Sequence, residues 1–279
     1  MPLCALPDRT VIAVSGADAS HFLQNLVTAN LETLEPGIVS ACALLSPQGK
    51  VMFDFLISKQ AENRFWLELR SDLASDFIKR LTLYKLRAAV EITVEEQVFV
   101  AASWYVDSTA SEIDSYVDRR FGDAGVLRHY TDQQLQGDRD YDALRVAHGV
   151  VESGADFALG EVFGHDISLD QNGGVDFRKG CYVGQEVVSR MHHRKTARRR
   201  VVIVEGNALA PEATIMADGK PAGTMGTVAD TKGLAIVRLD RVKEALDADA
   251  PVTVDNQAVQ VMLPPKVSYD WPSTETNDA

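Results

Sequence analysis

The sequence has only three cysteines in 279 residues, Cys4, Cys42 and Cys181. They are too few and too scattered for a disulfide framework or a zinc ribbon. A conventional iron–sulfur cluster takes about four protein ligands, usually closely spaced thiolates, so this chain alone cannot hold one in that way. Long apolar runs are also missing: no stretch approaches the roughly 20 residues that span a bilayer, so no membrane partner is expected. Positive charge is in short supply, with 28 Lys and Arg against 40 Asp and Glu and a net charge of −12. That balance argues against a general nucleic-acid binder, which needs a basic surface to neutralise phosphates. The first residues, Met1 to Arg9, lack a basic region followed by an apolar stretch and are not Arg-rich, so the expectation is a cytoplasmic protein. Internal repeats and low-complexity segments are absent.

What is present is ordinary globular material, 46% hydrophobic and 24% charged, in a length that suggests about two domains. Val11 to Val14 reads as a strand, and Ser15-Gly16-Ala17-Asp18 as turn and cap for a helix carrying Phe22, Leu23, Leu26 and Val27. Strands are predicted over Ile38 to Leu45, Val51 to Ser58 and Arg64 to Leu69. A helix capped by Ser71 follows, with Leu73, Phe77, Leu81 and Tyr84 at near-helical spacing. Further strands cover Val90 to Val94 and Val98 to Ser103, an order that suggests a mixed or antiparallel α/β sandwich. Asp107 to Asp123 reads as a connection, Tyr141 to His148 as a helix, and Phe157 to Gly174 as an irregular loop. Val175 to Arg178 reads as a short strand, and Gly184 to His193 as a helix. Short β-type runs after Arg200, with one helix over Asp240 to Leu246, suit a small barrel or sandwich. The polar tail after Trp271 is expected to fray.

The chemistry concentrates in Lys179-Gly180-Cys181-Tyr182-Val183-Gly184-Gln185-Glu186. A thiol is nucleophilic as thiolate, and a nearby cation or helix N-terminus lowers its pKa. Lys179 stands two residues before Cys181 and a predicted helix begins just after it. Gly180 and Gly184 bracket the thiol and permit conformations that a side chain blocks. Glu186 and Arg190 have the spacing of a helical ion pair. Cys4 and Cys42 read as small buried hydrophobes. The cluster Arg190, Arg194, Lys195, Arg198, Arg199 and Arg200 is either a solvated helix end and strand start or a local anion site. His192-His193 are neighbours that diverge by about 100° on a helix. They and the remaining histidines lack ligand spacing, so no metal site is assigned.

The string KGCYVGQE, preceded by GGVDF and followed by SRMHHR, resembles the signature of the YgfZ-type folate-binding proteins, relatives of the glycine-cleavage T-protein. FLQNLVTANL, SPQGKVMFDF, YKLRAAVEI, ALRVAHGV and GTMGTV…GLAIVRL extend the resemblance over most of the chain. It implies an α+β, T-protein-like fold: ferredoxin-like α/β sandwich domains and a C-terminal β-barrel around a central folate channel. The implied domains are 1–46 with 119–198, 47–118, and 199–279. Tetrahydrofolate is the implied ligand, with Asp54 at the pterin and Arg190 and Arg194 as candidates for the glutamate tail. The implied function is an accessory factor for synthesis or repair of iron–sulfur clusters in client enzymes. Cys181 would be the working thiol, Lys179 its tuning cation, and Gly180, Tyr182, Gly184, Gln185 and Glu186 the loop's frame. Iron–sulfur client or assembly proteins are the implied partners.

Two departures bear on this. Where T-proteins carry an acid, this chain has Ala147, which offers no proton or acceptor through its side chain. Gly164 replaces a proline before His165-Asp166. A folate-dependent aminomethyl- or methyltransferase or demethylase therefore stands as the alternative, and a plain anion- or RNA-binding module acting through Arg190 to Arg200 as a third.

Overall fold

The computed structural model describes residues 3–104, 115–133, 140–194 and 197–272. The chain forms two compact units, Met1–Tyr141 with Asn172–Val187, and Asp142–Gln171 with Val188–Ala279.

The first unit is built on nine strands: β1 (Leu3–Ala5), β2 (Arg9–Ser15), β3 (Ile38–Leu45), β4 (Val51–Ala61), β5 (Arg64–Arg70), β6 (Glu91–Val94), β7 (Phe99–Ser103), β8 (Ser115–Asp118) and β9 (Leu127–Thr131). Their order across the sheet is β1-β7-β9-β8-β3-β4-β5-β2-β6. The β3–β8 pair is parallel and its neighbours are antiparallel, so the sheet is mixed. Strand alternation sends Ile12, Val14, Cys42, Phe55, Ile57, Phe65 and Leu67 to one face. There they meet Phe22 and Leu23 of α1 (Ala19–Gln24) and Phe77 and Leu81 of α2 (Ala74–Lys85). Phe77 sits with its ring centroid 5.1 Å from Phe53 and 5.0 Å from Phe55. Each such fully buried side chain contributes about 1.5–3 kcal/mol of transfer free energy.

The opposite face carries Val11, Val39, Leu56, Val100 and Tyr130 and a buried ionic cluster. Glu68 accepts from Arg9 Nε at 2.8 Å, Arg128 Nε at 3.1 Å and the Tyr130 hydroxyl at 2.9 Å. Asp118 pairs with Arg120 at 2.8 Å, and Tyr141 Oη accepts from Arg120 and Arg128. Glu68 stands between Leu67 and Leu69 on β5 and is wholly buried, its partners Arg128 and Tyr130 coming from β9 of the same sheet.

The second unit holds α3 (Tyr141–His148, its first residue counted with the first unit), most of α4 (Gln185–Arg194), and seven strands. These are β10 (Arg199–Glu205), β11 (Thr214–Ala217), β12 (Lys220–Ala229), β13 (Lys232–Arg238), β14 (Val252–Val254), β15 (Gln257–Ala258) and β16 (Gln260–Met262). Paired in the order β15-β14-β11-β12-β13-β10-β16, they form a nearly closed antiparallel barrel. Its core takes Val202, Val204, Ile215, Val237 and Val254, plugged by Leu239, Val242 and Ala245 of α5 (Leu239–Asp247). Asp218-Gly219 and Asp255-Asn256 both have positive φ at their two central positions, the geometry of the two-residue turns that match strand twist.

Several expectations are corrected in detail. Part of the expected connection Asp107 to Asp123 is β8 followed by a short 3₁₀ turn, Arg119–Phe121, while residues 107–114 lie outside the described part. Ser71 opens a 3₁₀ turn without a side-chain cap, and α2 starts at Ala74. Asp18 accepts the Ala89 N–H at 2.7 Å instead of capping α1. Val175 to Arg178 is irregular, because Asp176 bends the chain back on itself as described below. The tail after Pro272 lies outside the described residues.

Candidate functional site

The KGCYVGQE loop belongs to the first unit and is fastened on both sides of its thiol. Upstream, Thr28 Oγ1 donates to Gly174 O at 2.6 Å, and the Asp176 N–H donates to Thr28 O at 3.1 Å. The Asp176 carboxylate then accepts the N–H groups of Arg178 (2.7 Å) and Lys179 (3.1 Å) through Oδ1, and Asn30 Nδ2 (3.0 Å) through Oδ2. This is an Asx-type turn, in which a short carboxylate satisfies the backbone just ahead of it. Burial raises the Asp176 pKa, but those hydrogen bonds and the Arg178 charge outweigh it and hold the carboxyl below its usual range.

Lys179 is buried, with 7% of its surface exposed. Its ammonium donates to Val27 O and Ala29 O, both at 2.7 Å, and lies 5.1 Å from the Tyr182 ring centroid. Burial pulls its pKa down to about 8, opposed by Cys42, Asp176 and Glu32. The charge therefore sits on the inner side of the loop, beside the buried thiol Cys42, whose pKa burial pushes up. Tyr182 is also buried, and burial raises its phenol. Between these two anchored residues Gly180 and Cys181 are exposed. Of the three cysteines Cys181 is exposed, and Cys4 and Cys42 are buried.

Downstream, Gly184 has φ +82°, and a Cβ there would lie 2.6 Å from Ser46 O and 3.0 Å from Leu45 Cβ. Gly49 (φ +79°) meets Val187 in the same way, at 2.8 Å. The Ser46–Gly49 turn is thus seated against the start of α4 by two glycines. Gly180, by contrast, has open space around its Cα and no positive φ. Gln185 is half-buried at the helix start with Nε2 3.4 Å from Lys179 O, and Glu186 is exposed.

Asp54 is half-buried on β4 opposite Ala43, with Oδ1 out of reach of solvent. Its neighbours Phe53 and Phe55 face the α1–α2 core, so alternation puts Asp54 on the other face of the sheet from Cys42. Arg190 and Arg194 are exposed on α4 and belong to the second unit. The structure thus gathers Lys179, Cys181, Tyr182, Gly184 and Gln185 into one loop, and places Asp54 elsewhere in the same unit. Among the described residues no group of three or more His, Cys, Asp or Glu is arranged to hold a metal.

Thr28, Asn30 and Asp176, which frame the loop, were not singled out from sequence. The signal for them is Asp176 itself, an aspartate two and three residues before backbone donors in a Gly-rich stretch. In the second unit, Arg200 is buried with its guanidinium 4.6 Å from the Tyr269 ring, donating to Asp170 Oδ1 at 2.7 Å and His165 O at 2.8 Å. Burial brings the neighbouring His165 down to about 4; Asp170 opposes this, and Arg200 and His192 add to it. Arg200 is accordingly fixed in place, whereas Arg198 and Arg199 are exposed, Arg199 lying 4.0 Å from Asp166.

The chain matches the GCVT N-terminal domain over residues 8–101 and the CAF17 C-terminal beta-barrel domain over residues 198–269. It is 31% identical over 226 residues to the mitochondrial iron–sulfur cluster assembly factor IBA57 homolog of Mycosarcoma maydis, covering 72% of this chain and 56% of that protein. It is 27% identical over 309 residues to mitochondrial IBA57 of Homo sapiens, covering 96% of this chain and 85% of the human one. The chain spans 56% of the length of the fungal relatives from Mycosarcoma maydis and Neurospora crassa. The crystal structure of the glycine cleavage system aminomethyltransferase T from Bartonella henselae superposes with a TM-score of 0.73 at 14% identity, over 97% of this chain and 87% of that one. The relatives are named as mitochondrial proteins, which overturns the cytoplasmic expectation. That expectation rested on the composition of Met1 to Arg9, and a folded domain carries no physical record of the compartment it works in. The chain has the aminomethyltransferase fold, matches the GCVT N-terminal domain and the CAF17 C-terminal beta-barrel domain in its two parts, and is similar over most of its length to iron–sulfur cluster assembly factors of the IBA57 type.

Proposed function

We propose that the chain is an accessory factor for iron–sulfur cluster assembly, with Cys181 as its working thiol. The observation that carries this reading is the exposed Cys181 held between two buried anchors, Lys179 and Tyr182, while Cys4 and Cys42 are buried. One thiolate cannot complete a cluster's ligand set, so the factor acts together with partner proteins of the assembly system or with client enzymes. The relatives named as assembly factors support the same role. Lys179 acts as a positioning residue: two carbonyls fix its ammonium, and the backbone it carries holds the thiol outward. Gly184 and Gln185 let α4 start directly behind the loop.

Within this reading the chain is of the YgfZ type and binds tetrahydrofolate, with Asp54 recognising the pterin and Arg190 and Arg194 the glutamate tail. The folate part is tested by anaerobic calorimetric titration of the native chain, Asp54→Ala and Cys181→Ala with tetrahydrofolate. Weakened binding in Asp54→Ala and retained binding in Cys181→Ala supports a folate site separate from the thiol; no binding to the native chain refutes it. Ala147, an exposed methyl on α3, brings no acid to the position where aminomethyl transfer uses one, which favours the accessory role over a transferase.

A further inference from the structure

A cleft of about 410 Å³ opens in the first unit beside the segment that leads into the KGCYVGQE loop. The volume falls in the range of small-molecule sites, roughly 300–1,000 Å³. Its walls come from the stretch after α1, from Ser40 on β3, from Arg119, and from residues 173–178. Ser40 projects from the same strand face as Cys42, two residues away, and Asp54 from the opposite face. The cleft is therefore distinct from the position assigned above to the pterin.

Its polar groups are of complementary kinds. Arg119 stands at the rim, held by an exposed ion pair with Glu35 at 3.5 Å. A pair of that sort is worth at most about 1 kcal/mol, so a ligand carboxylate can replace Glu35 at little cost. The Arg178 guanidinium is exposed and makes no hydrogen bond or ion pair with a described residue. The buried Ser40 hydroxyl and the exposed Thr33 hydroxyl offer small donors and acceptors along the walls. Asp176 supplies one carboxylate that is kept ionised, and its Oδ2 accepts from Asn30 Nδ2 at 3.0 Å. A carboxylate oxygen takes about two hydrogen bonds, which leaves Oδ2 able to accept another. Phe177 adds an apolar wall.

Two guanidiniums at the mouth and an ionised carboxylate within are the complement of a molecule carrying both carboxylates and a free amine. We infer that this cleft binds a small amino-acid or peptide ligand of the γ-glutamyl class, its carboxylates on Arg119 and Arg178 and its ammonium on Asp176. The inference stands apart from the assembly role, since neither Cys181 nor a cluster enters it. A folate glutamate tail shares the carboxylates but has an acylated α-nitrogen, so the amine separates the two sources.

The test is calorimetric titration of the full chain at physiological ionic strength with L-glutamate, reduced glutathione and N-acetyl-L-glutamate. Saturable binding of glutamate or glutathione is expected, with N-acetyl-L-glutamate weaker by about tenfold or more, the loss that follows from removing one charge-assisted hydrogen bond. Arg119→Ala and Arg178→Ala are each expected to weaken the amine-bearing ligand by a similar factor. Both side chains are at the surface, and an unchanged circular dichroism melt separates lost binding from lost folding. The inference is overturned if neither amine-bearing probe binds saturably, if both arginine variants bind as the native chain does, or if N-acetyl-L-glutamate binds as well as glutamate.

Discussion

Replacing Lys179 by methionine removes the ammonium while keeping most of the side chain's length. In the native fold that ammonium donates to two main-chain carbonyls at 2.7 Å each. Leaving a buried acceptor without its donor costs about 1–3 kcal/mol, so two give roughly 2–6 kcal/mol. Methionine no longer has to desolvate a charge and buries more apolar surface, which returns on the order of 1–2 kcal/mol. The expected net loss is about 1–4 kcal/mol, read as a fall in the urea midpoint of the transition followed by tryptophan fluorescence. A second readout is pH. Burial lowers the Lys179 pKa to about 8, from 10.5 for the ordinary side chain. Between those values the unfolded chain holds a proton that the folded chain has released, so stability rises with pH. The native chain should therefore gain on Lys179→Met as pH rises from 8 through 10.5, while changes from Cys42, present in both, largely cancel. A loss below about 0.5 kcal/mol, within the scatter of surface substitutions, together with no pH-dependent difference, would refute the reading of Lys179 as the buried anchor of the loop.

Gly184→Ala forces a Cβ to within 2.6 Å of Ser46 O at φ +82°; a loss of about 2 kcal/mol or more is expected in thermal or urea melts, and a neutral outcome would contradict the seating of the turn against α4. Glu68→Gln leaves Arg128 buried without its carboxylate and is expected to cost about 3–5 kcal/mol. Burial opposes ionisation of Glu68, but the charges of Arg128, Arg9 and Arg120 outweigh it and hold its pKa below 4.5. Its contribution is thus present above 4.5 and lost as pH falls through the lower folded value, so urea titrations of Glu68→Gln should show a shallower acid limb than the native chain. A disulfide reagent should modify one thiol rapidly in the native chain and the other two only on unfolding, and Cys181→Ala should abolish the rapid phase; two rapid thiols would contradict the burial of Cys42 and Cys4.

The parts of the fold legible in the sequence are those where one local period decides the outcome. Val11 to Val14, Ile38 to Leu45 and Phe77 with Leu81 form their elements because strand or helix periodicity sends Ile12, Val14, Cys42, Leu44, Phe77 and Leu81 to one core, and Val11 and Val39 to the apolar cluster on the other face of the sheet. The parts not legible are set by distant partners. Nothing in the strand Arg64 to Leu69 announces that Glu68 is enclosed by Arg9, Arg128 and Tyr130, which arrive from other strands. Val175 to Arg178 has strand-forming residues, yet Asp176 captures the N–H groups of Arg178 and Lys179 and bends the chain. The same holds at the loop. Cys181 stood out because of its neighbours in the chain, whereas the role of Lys179 as an inward anchor depends on Val27 and Ala29, about 150 residues away.

The most direct test of the assembly role is anaerobic reconstitution of a four-iron client enzyme from its apo form, with iron, sulfide and the assembly partners supplied. Client activity would be compared without the chain, with the native chain and with Cys181→Ala. The account predicts that the native chain raises the rate or yield of active client and that Cys181→Ala, folded to the same melting temperature, returns it to the level seen without the chain. Full activity with Cys181→Ala would contradict the assignment of Cys181 as the working thiol, and no effect of the native chain would contradict the assembly role itself.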